Sequence, residues 1–303
     1  MSLQMDKKDF VLYHGDFDGI VSAALLIQKF SLSNYFISSA EPFTVDRVMK
    51  RMRMDGSCAR TVYMVDLAPN NKSMKMTKKF VEDCSGFAGS VKIYDHHSGW
   101  ENFSFGGSVE LIVANGSPSC ARHLYNTFEY SEMSSPVMEA LASDADIIDT
   151  GGYEGVSAAG TLIYRALKSD MKAPGPKAVA IDYILSGLRD EPARRTLCEM
   201  ASGYDAVLSN SFALLAECRE LRPGICYLNV DDAHCDITVI IAECYKKFQT
   251  VIIEYFSGCN RFYIIATSGS ELNMLEKLGI HSGSRHRVTI VKCDLEQLLA
   301  KLQ

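Results

Sequence analysis

Residues 10–30 read FVLYHGDFDGIVSAALLIQKF, and three local patterns follow one another in this stretch. The apolar run Phe10–Tyr13 predicts a buried strand. From Gly19 to Phe30 the pattern predicts a helix, with one apolar face formed by Ile20, Ala23, Ala24 and Ile27. The loop between them carries one histidine and two aspartates, which are His14, Asp16 and Asp18. Gly19 has no side chain, so the loop can turn sharply and approach a ligand closely.

The same alternation continues through the first half of the chain. Further strands are predicted at Thr61–Val65, Val91–Tyr94 and Val109–Val113, and helices at Asn71–Val81, Pro118–Phe128 and from Pro136 toward Asp146, with Ser135 as its N-cap. Strands that alternate with helices predict an α/β domain with a mostly parallel sheet and helices on both faces.

The second half of the chain has a different pattern. Pro174–Pro176 is predicted to be a loop within the first domain, and Gly203–Leu221 to be one helix. Four apolar runs then predict strands at Ile225–Val230, Ile237–Ala242, Val251–Phe256 and Phe262–Thr267, before a helix at Glu271–Leu278 and a last strand at Val288–Lys292. We therefore expect a first domain over residues 1–200, a connecting helix over 201–221 and a smaller α+β domain over 222–303.

Composition limits the classes of function that are open. The 303 residues are 47% hydrophobic and carry a formal net charge of −6, which is typical of a folded globular protein. Without a basic excess, a long nonspecific nucleic-acid groove is disfavoured, but a short nucleotide remains an acceptable partner. No run approaches the ~20 apolar residues of a membrane helix, and the first ten residues are polar, so we expect a cytoplasmic protein with no membrane partner.

The ten cysteines include no Cys-x-x-Cys pair. We interpret them as reduced and mostly buried thiols. Cys226, Cys235 and Cys244 recur every nine residues, with His234 beside one of them. A zinc site there would lack the close ligand pairs that such sites usually have.

Acids and histidines follow three of the predicted strands. Asp16 and Asp18 follow the first strand, Asp66 the second, and the sequence Asp95-His96-His97 the third. Because the carboxyl ends of parallel strands share one sheet edge, these side chains should converge. Such a group is too costly to bury without a cation, and mixed carboxylate and imidazole donors suit Mn, Fe or Co. Four or more acids can hold two metals, which favours hydrolysis of a phosphoester or phosphoanhydride.

A single acid at a strand end is more often a loop residue or a helix cap. Phosphatases that use one nucleophilic aspartate at a strand end have no use for Asp95-His96-His97. The ordered set of three strand ends therefore carries the argument.

Taken together, Asp16-Phe17-Asp18-Gly19, Val65-Asp66 and Asp95-His96-His97 resemble the motifs of the DHH phosphoesterase superfamily. The superfamily has a fourth aspartate after a helix some way further on, and the tract SDADIID at residues 143–149 stands in that place. We take Asp146 as that residue, because Ala-Asp-Ile-Ile resembles RecJ-like members, with Asp149 as its rival.

The resemblance implies a role for each residue. It implies two ions, expected to be Mn with Mg or Co as alternatives, held by Asp16, Asp18, Asp66, His96 and Asp146, with Asp66 bridging. Asp95 is implied to orient His96 or a metal water, and His97 to contact phosphate or assist proton transfer. Some members place a histidine ligand where this chain has Leu12, so His14 is a candidate ligand or a support for the loop.

The C-terminal part resembles the DHHA1 substrate domain less closely. The glycine-rich segment of that domain corresponds here to Gly283, Ser284, Arg285 and His286, which are the candidate substrate-binding residues. Arg285 could bind a phosphate with two hydrogen bonds, whereas the simpler interpretation is an exposed basic turn.

We therefore predict an enzyme that hydrolyses phosphodiester or phosphomonoester bonds of small nucleotides with a water activated by two metals. Its expected partner is a short oligonucleotide, dinucleotide or nucleoside bisphosphate, and short single-stranded nucleic acid is included. The alternatives are a pyrophosphatase or exopolyphosphatase and, from another class, an inactive binding or scaffold module. The superfamily also makes a homodimer an expected assembly, although no residue pattern indicates one.

Overall fold

The computed structural model of the chain describes residues 7–42, 44–45, 47–48, 51, 59–69, 74–130, 135–170, 174–230, 234–257, 260–268, 278, 287–291 and 294–302. Within these residues the strands form two separate five-stranded sheets. The first sheet lies in the N-terminal half of the chain, and the second begins after residue 218.

Every strand pair in the first sheet is parallel. Its strands are β1 (Lys8–His14), β2 (Tyr35–Ala40), β3 (Ala59–Val65), β4 (Ala88–Asp95) and β5 (Val109–Val113). They lie in the order β2-β1-β3-β4-β5. In the pairing register, Tyr13 lies opposite Val65, and Val65 lies opposite Tyr94. The carboxyl ends of β1, β3 and β4 are therefore level with one another at the same edge of the sheet.

Helices cover both faces of this sheet. They are α1 (Phe17–Lys29), α2 (Met74–Ser85), α3 (Cys120–Thr127), α4 (Ser135–Asp149), α5 (Ala158–Ser169), α6 (Pro174–Leu185), α7 (Glu191–Ala201) and α8 (Tyr204–Leu215). Val11 and Tyr13 pack into the core under α1 and α3 to α8, whereas Phe10 and Leu12 pack on the opposite face with α2. This two-sided burial explains the continuous apolar run of β1. The predicted α/β architecture is confirmed.

Two local predictions for this half were wrong or incomplete. Strand β2 was not predicted, because it is a half-buried edge strand that ends in two serines and an alanine. Pro174–Pro176 is not a loop but the first turn of α6. The first turn of a helix tolerates proline, because its backbone N–H groups have no partner within the helix.

The second sheet is mixed and belongs to a smaller α+β unit. Its strands are β6 (Arg219–Arg222), β7 (Ile225–Asn229), β8 (Thr250–Ser257), β9 (Asn260–Thr267) and β10 (Arg287–Val291), in the order β10-β9-β8-β7-β6. Among the described strand pairs of this sheet, β7 and β8 pair in parallel and the others are antiparallel. Helix α9 (Ile237–Tyr245) connects them and packs on one face, while α10 (Leu295–Lys301) packs on the other.

Two secondary-structure predictions for this unit were also wrong. The predicted helix over Gly203–Leu221 ends at Leu215, and β6 follows it. The run Ile237–Ala242 was predicted as a strand but lies in α9. Its β-branched residues indicate a strand, yet the side chain of Asp236 caps the helix by accepting a hydrogen bond from the Thr238 N–H, and burial on the sheet face overrides the local preference.

Asp236 also ties the second unit to the first. This fully buried carboxylate accepts hydrogen bonds from the hydroxyls of Tyr164 in α5 (2.6 Å) and Tyr204 in α8 (3.0 Å). Lys168 lies 3.4 Å from its other oxygen. Burial alone would raise the pKa of Asp236, but Lys168 and the two hydroxyls outweigh it and lower the pKa.

Among the residues described, no helix has the length and hydropathy needed to cross a membrane.

Candidate active site

The predicted acids and histidines meet at the carboxyl edge of the first sheet. His14 ends β1, Asp66 follows β3, and Asp95, His96 and His97 stand at the end of β4. Asp16 and Asp18 lie at the start of α1, where Asp16 is the N-cap and accepts a hydrogen bond from the Gly19 N–H (3.0 Å). The convergence predicted from the three strand ends is therefore present in the structure.

Gly19 is needed because α1 begins very close to the end of β1. A Cβ atom at this position would lie 2.1 Å from the backbone oxygen of His14. A flexible side chain could move to avoid such a contact, but the backbone of β1 cannot, so only glycine fits here. This contact holds Asp16 and Asp18 against the edge of the sheet.

One group of donors lies around His14. Its Nδ1 atom is 2.9 Å from Asp16 Oδ2 and 3.7 Å from Asp66 Oδ2, and its Nε2 atom is 2.9 Å from Glu41 Oε2. Burial alone would lower the pKa of His14, but these three carboxylates raise it well above its ordinary value. Asp16, in turn, has a lowered pKa because His14 outweighs its burial. Glu41 was missed by the sequence analysis, since it follows the unpredicted strand β2.

A second group lies around His96. Its Nε2 atom is 3.5 Å from Asp66 Oδ1, 3.8 Å from Asp18 Oδ2 and 3.7 Å from Asp149 Oδ2. The Nδ1 atom of His96 faces the Ser117 carbonyl oxygen at 3.2 Å. A carbonyl oxygen can only accept, so Nδ1 donates, and in the neutral ring the lone pair is on Nε2. Both His96 Nε2 and Asp66 Oδ1 are buried without a hydrogen-bond partner.

The carboxylates of this second group are electrostatically costly. Burial and the neighbouring charge of Asp66 raise the pKa of Asp18 well above its ordinary value. Burial likewise raises the pKa of Asp149, with Asp66 and Asp16 adding to the effect. The carboxylates raise the pKa of His96 despite its burial. A cation among these atoms would relieve the repulsion, because it favours the charged form of each acid.

Asp18 is held in place by the start of α3. Its two oxygens accept hydrogen bonds from the N–H groups of Cys120 and Ala121, both at 2.8 Å. Helix N-termini favour negative charge, and the two bonds fix the carboxylate in one orientation. The side chain is thus preorganised even though its charge is disfavoured.

Asp66 joins the two groups. Its side chain is only 3% exposed, with Oδ2 facing His14 and Oδ1 facing His96. Its backbone has a φ of 55°, in the left-handed region that is unusual for residues other than glycine. The Asp66 N–H donates to the Tyr94 carbonyl oxygen at 2.9 Å, which holds this conformation. Strain of this kind is often retained at functional sites.

Asp95 has a different position from the other acids. Its Oδ1 atom accepts from the backbone N–H groups of His96 (2.7 Å) and His97 (3.0 Å) and faces His97 Nδ1 at 2.6 Å. Its Oδ2 atom accepts from the indole N–H of Trp100 at 2.7 Å. Burial would raise the pKa of Asp95, but His97 lowers it to about 2. With four hydrogen bonds, Asp95 orients the loop that carries the two histidines.

The predicted fourth aspartate needs a correction. Asp146 does not lie in the cluster: it accepts hydrogen bonds from Arg122 Nε at 2.7 Å and Ser119 Oγ at 2.6 Å. Asp149, the rival, ends α4 beside His96. The two residues are three positions apart on one helix, so the sequence spacing could not separate them.

The remaining predicted residues fall outside the structural description. Gly283, Ser284, Arg285 and His286 are not among the described residues. A cation that was not predicted does lie near the site. A Cβ atom on Gly15 would be 2.6 Å from Lys177 Nζ, so the ammonium group of this α6 residue is packed against the acidic loop.

Known proteins match this chain in structure but not in sequence. No protein-family model matches it, and no curated protein matches it by sequence. The pGpG-specific phosphodiesterase PggH from Vibrio cholerae is 16% identical, with a TM-score of 0.56 over 98% of this chain and 97% of that chain. RecJ from Thermus thermophilus, in complex with Mn2+, is 11% identical, with a TM-score of 0.63 over 99% of this chain and 52% of RecJ. An exopolyphosphatase-related protein from Bacteroides fragilis is 11% identical, with a TM-score of 0.56 over 99% of this chain and 91% of that chain.

These matches define the fold class. This chain has the fold of these three proteins: a parallel five-stranded sheet flanked by helices, followed by a small mixed-sheet domain. The fold that the strand-end motifs led us to expect is thereby confirmed. The match extends over nearly all of PggH but only about half of RecJ.

Proposed function

We propose that this chain is a metal-dependent phosphohydrolase, with its cations held by Asp16, Asp18, Asp66, His96 and Asp149. The observation that carries the proposal is the position of Asp66. Its two oxygens face two different groups of donors, and its Oδ1 atom is buried without a hydrogen-bond partner. A carboxylate in this position suits a bridge between two cations.

Mn is the expected ion, with Mg or Co as alternatives. Carboxylates with one or two imidazoles are donors that suit these ions, and no thiol belongs to the set. RecJ from Thermus thermophilus has been solved with Mn2+ and with Mg2+, which supports the same class of ion here. When bound, such ions lower the pKa of a coordinated water and neutralise phosphate charge.

The chain's own histidines have separate parts in this proposal. His14 has carboxylates at both ring nitrogens, so it neutralises and positions Asp16 and Glu41. His97 keeps a proton on Nδ1, because Nδ1–H donates a hydrogen bond to Asp95 Oδ1. Its Nε2 atom is then free to accept a proton from the reacting groups or to return it. Asp95 acts through His97 and is a positioning residue.

The proposed substrate is a short nucleotide with a phosphodiester bond. The net charge of −6 disfavours a long nucleic acid, while Lys177 supplies a local cation beside Gly15. The match to the pGpG-specific phosphodiesterase extends over 97% of that protein, which supports a substrate of similar size. Gly283, Ser284, Arg285 and His286 remain the proposed phosphate-binding segment of the second domain.

A phosphoanhydride hydrolase is the second candidate. The match to the exopolyphosphatase-related protein covers 91% of that chain, and two bridged cations suit pyrophosphate and polyphosphate equally well. An inactive binding module is less favoured, because such a module has no need for the complete set of donors.

The test is a hydrolysis panel with added Mn. It contains linear and cyclic dinucleotides, short RNA and DNA, adenosine bisphosphate, pyrophosphate and short polyphosphate, and release of phosphate and mononucleotide is measured. Asp66→Asn is the control, since asparagine tolerates the left-handed backbone at this position. We expect turnover of dinucleotides or short oligomers that this variant loses. Turnover of anhydrides alone would favour the second candidate, and no turnover with Mn still bound would favour the binding module.

A further inference from the structure

Three cysteine thiols meet in the second domain, on elements that take no part in the site above. Cys218 lies between α8 and β6, Cys226 lies in β7, and Cys244 lies in α9. Their sulfur atoms are all within 4.8 Å of one another, and the Sγ atoms of Cys218 and Cys244 are 4.0 Å apart. Cys226 and Cys244 are buried, while Cys218 is partly exposed.

This trio differs from the one that the spacing of nine residues suggested. Cys235 packs against the same apolar core, but the third sulfur is that of Cys218. The reason is the sheet topology. Strands β6 and β7 pair antiparallel, with Arg219 opposite Tyr227, so the residue before β6 is carried back across the sheet face where Cys226 packs.

The separations fit coordination of one ion. A metal–sulfur distance of 2.3 Å implies sulfur–sulfur distances of about 3.8–4.0 Å in tetrahedral or trigonal geometry. The Cys218–Cys244 distance already has this value, and the other two need to close by less than about 1 Å. Cys226 lies on a paired strand, Cys244 lies on a packed helix and Cys218 directly precedes β6, so little ordering is left for binding to accomplish.

We propose that Cys218, Cys226 and Cys244 bind one thiolate-preferring cation of the Zn2+ or Cu+ class. On binding, each thiol releases its proton to solvent and donates a sulfur lone pair to the ion. The partly exposed Cys218 marks the side from which the ion enters and where a water can complete the coordination. Thiolates suit such ions, whereas the carboxylates of the first domain suit harder ions such as Mn or Mg, so the two sites differ in donor chemistry.

The experiment uses the full chain, reduced and stripped of metal, and titrates it with Cd2+. Thiolate-to-cadmium charge-transfer absorption in the ultraviolet reports sulfur ligands alone, so the carboxylate site does not contribute. We expect saturation at one ion per chain and displacement of the band by Zn2+. Cys218→Ser should weaken binding by at least about tenfold, because losing even an outer partner of a metal ligand costs that much.

Cys198→Ser is the matched control, because Cys198 is an exposed thiol of α7 and lies outside the trio. It should leave the titration unchanged. Cys218→Ser is the main variant because its side chain is the least buried of the three, and circular dichroism verifies its fold. A band unchanged by Cys218→Ser and Cys226→Ser would overturn the proposal. So would loss of two free thiols in air that Cys218→Ser abolishes, since that result indicates a disulfide.

Discussion

Replacing Asp149 by asparagine should largely abolish the rise in Tm that Mn produces, whereas the same change at Asp146 should not. Asp149 is one of three donors around His96 Nε2, at 3.7 Å, while Asp146 is bonded to Arg122. The two positions share helix α4, so the pair is matched in chemistry and in local structure. The prediction therefore separates a metal ligand from a structural aspartate.

The magnitude follows from the loss of one donor in four, since His96 is itself a donor beside Asp18, Asp66 and Asp149. Loss of a partner to a metal ligand alone weakens binding by about 10- to 100-fold, and a donor itself should cost at least as much. At a Mn concentration 100 times the wild-type Kd, Mn raises the free energy of unfolding of the wild type by about 2.7 kcal/mol. The rise is about 0.4 kcal/mol for a variant with 100-fold weaker binding. For a chain of this size 1 kcal/mol corresponds to about 2 °C, so the Tm shifts would be about 5 °C and about 1 °C.

The metal-free proteins should differ in the opposite direction. Burial and its acidic neighbours raise the pKa of Asp149, so its ionised form costs stability once the pH exceeds that raised value. Asparagine removes this cost, and metal-free Asp149→Asn should be at least as stable as wild type. Asp146→Asn should lose about 1–2 kcal/mol with or without Mn, because a charged hydrogen bond to Arg122 is weakened.

Thermal unfolding with and without Mn, followed by calorimetric titration, measures both effects. If Asp149→Asn kept the full Mn-induced shift while Asp146→Asn lost it, Asp149 would not be a metal ligand. If metal-free Asp149→Asn melted well below wild type, Asp149 would stabilise the fold by itself, contrary to its raised pKa.

Three further changes test the supports of the site. Gly19→Ala should lower stability by about 1–3 kcal/mol in urea unfolding and weaken Mn binding, because its Cβ would meet the His14 backbone oxygen at 2.1 Å. Asp95→Asn should lower the free energy of unfolding by about 2 kcal/mol near neutral pH, because His97 lowers the Asp95 pKa to about 2. Ionised Asp95 stabilises the fold above the ordinary aspartate pKa, so the gap from wild type in urea unfolding should shrink as the pH falls from about 4 toward 2. Lys177→Gln should raise KM for anionic substrates with little change in kcat, measured by initial rates; an unchanged KM would exclude substrate contact.

The fold was predictable where burial is strong and the local preference agrees with it. The runs that became β1, β3 and β4 are apolar because both faces of the sheet are covered, and their patterns were unambiguous. Strand β2 escaped because an edge strand needs fewer apolar residues. Helix α9 escaped because its β-branched residues favour a strand, and only the cap and the sheet beneath it decide otherwise.

The site was predictable to the extent that strand ends fix position. The convergence of Asp16, Asp18, Asp66, Asp95, His96 and His97 was predictable because the topology brings the carboxyl ends of β1, β3 and β4 to one edge. A helix face offered no equivalent rule for choosing between Asp146 and Asp149, where the partner Arg122 decides. Glu41 depended on β2, and Lys177 reaches the loop from α6, a contact that no local pattern encodes.

This edge of the sheet combines rigidly held carboxylates with backbone strain and charge repulsion. The carboxylates of Asp95 and Asp18 accept hydrogen bonds from backbone N–H groups. These bonds hold the two side chains in place before any ion arrives. Asp66 is strained by about 1 kcal/mol or more, and its charge repels those of Asp18 and Asp149. Asp149, at the end of α4, accepts no backbone hydrogen bond within the part of the chain that the structure describes, whereas two such bonds hold Asp18. Metal binding should therefore order the last turn of α4 more than the Asp18 side chain.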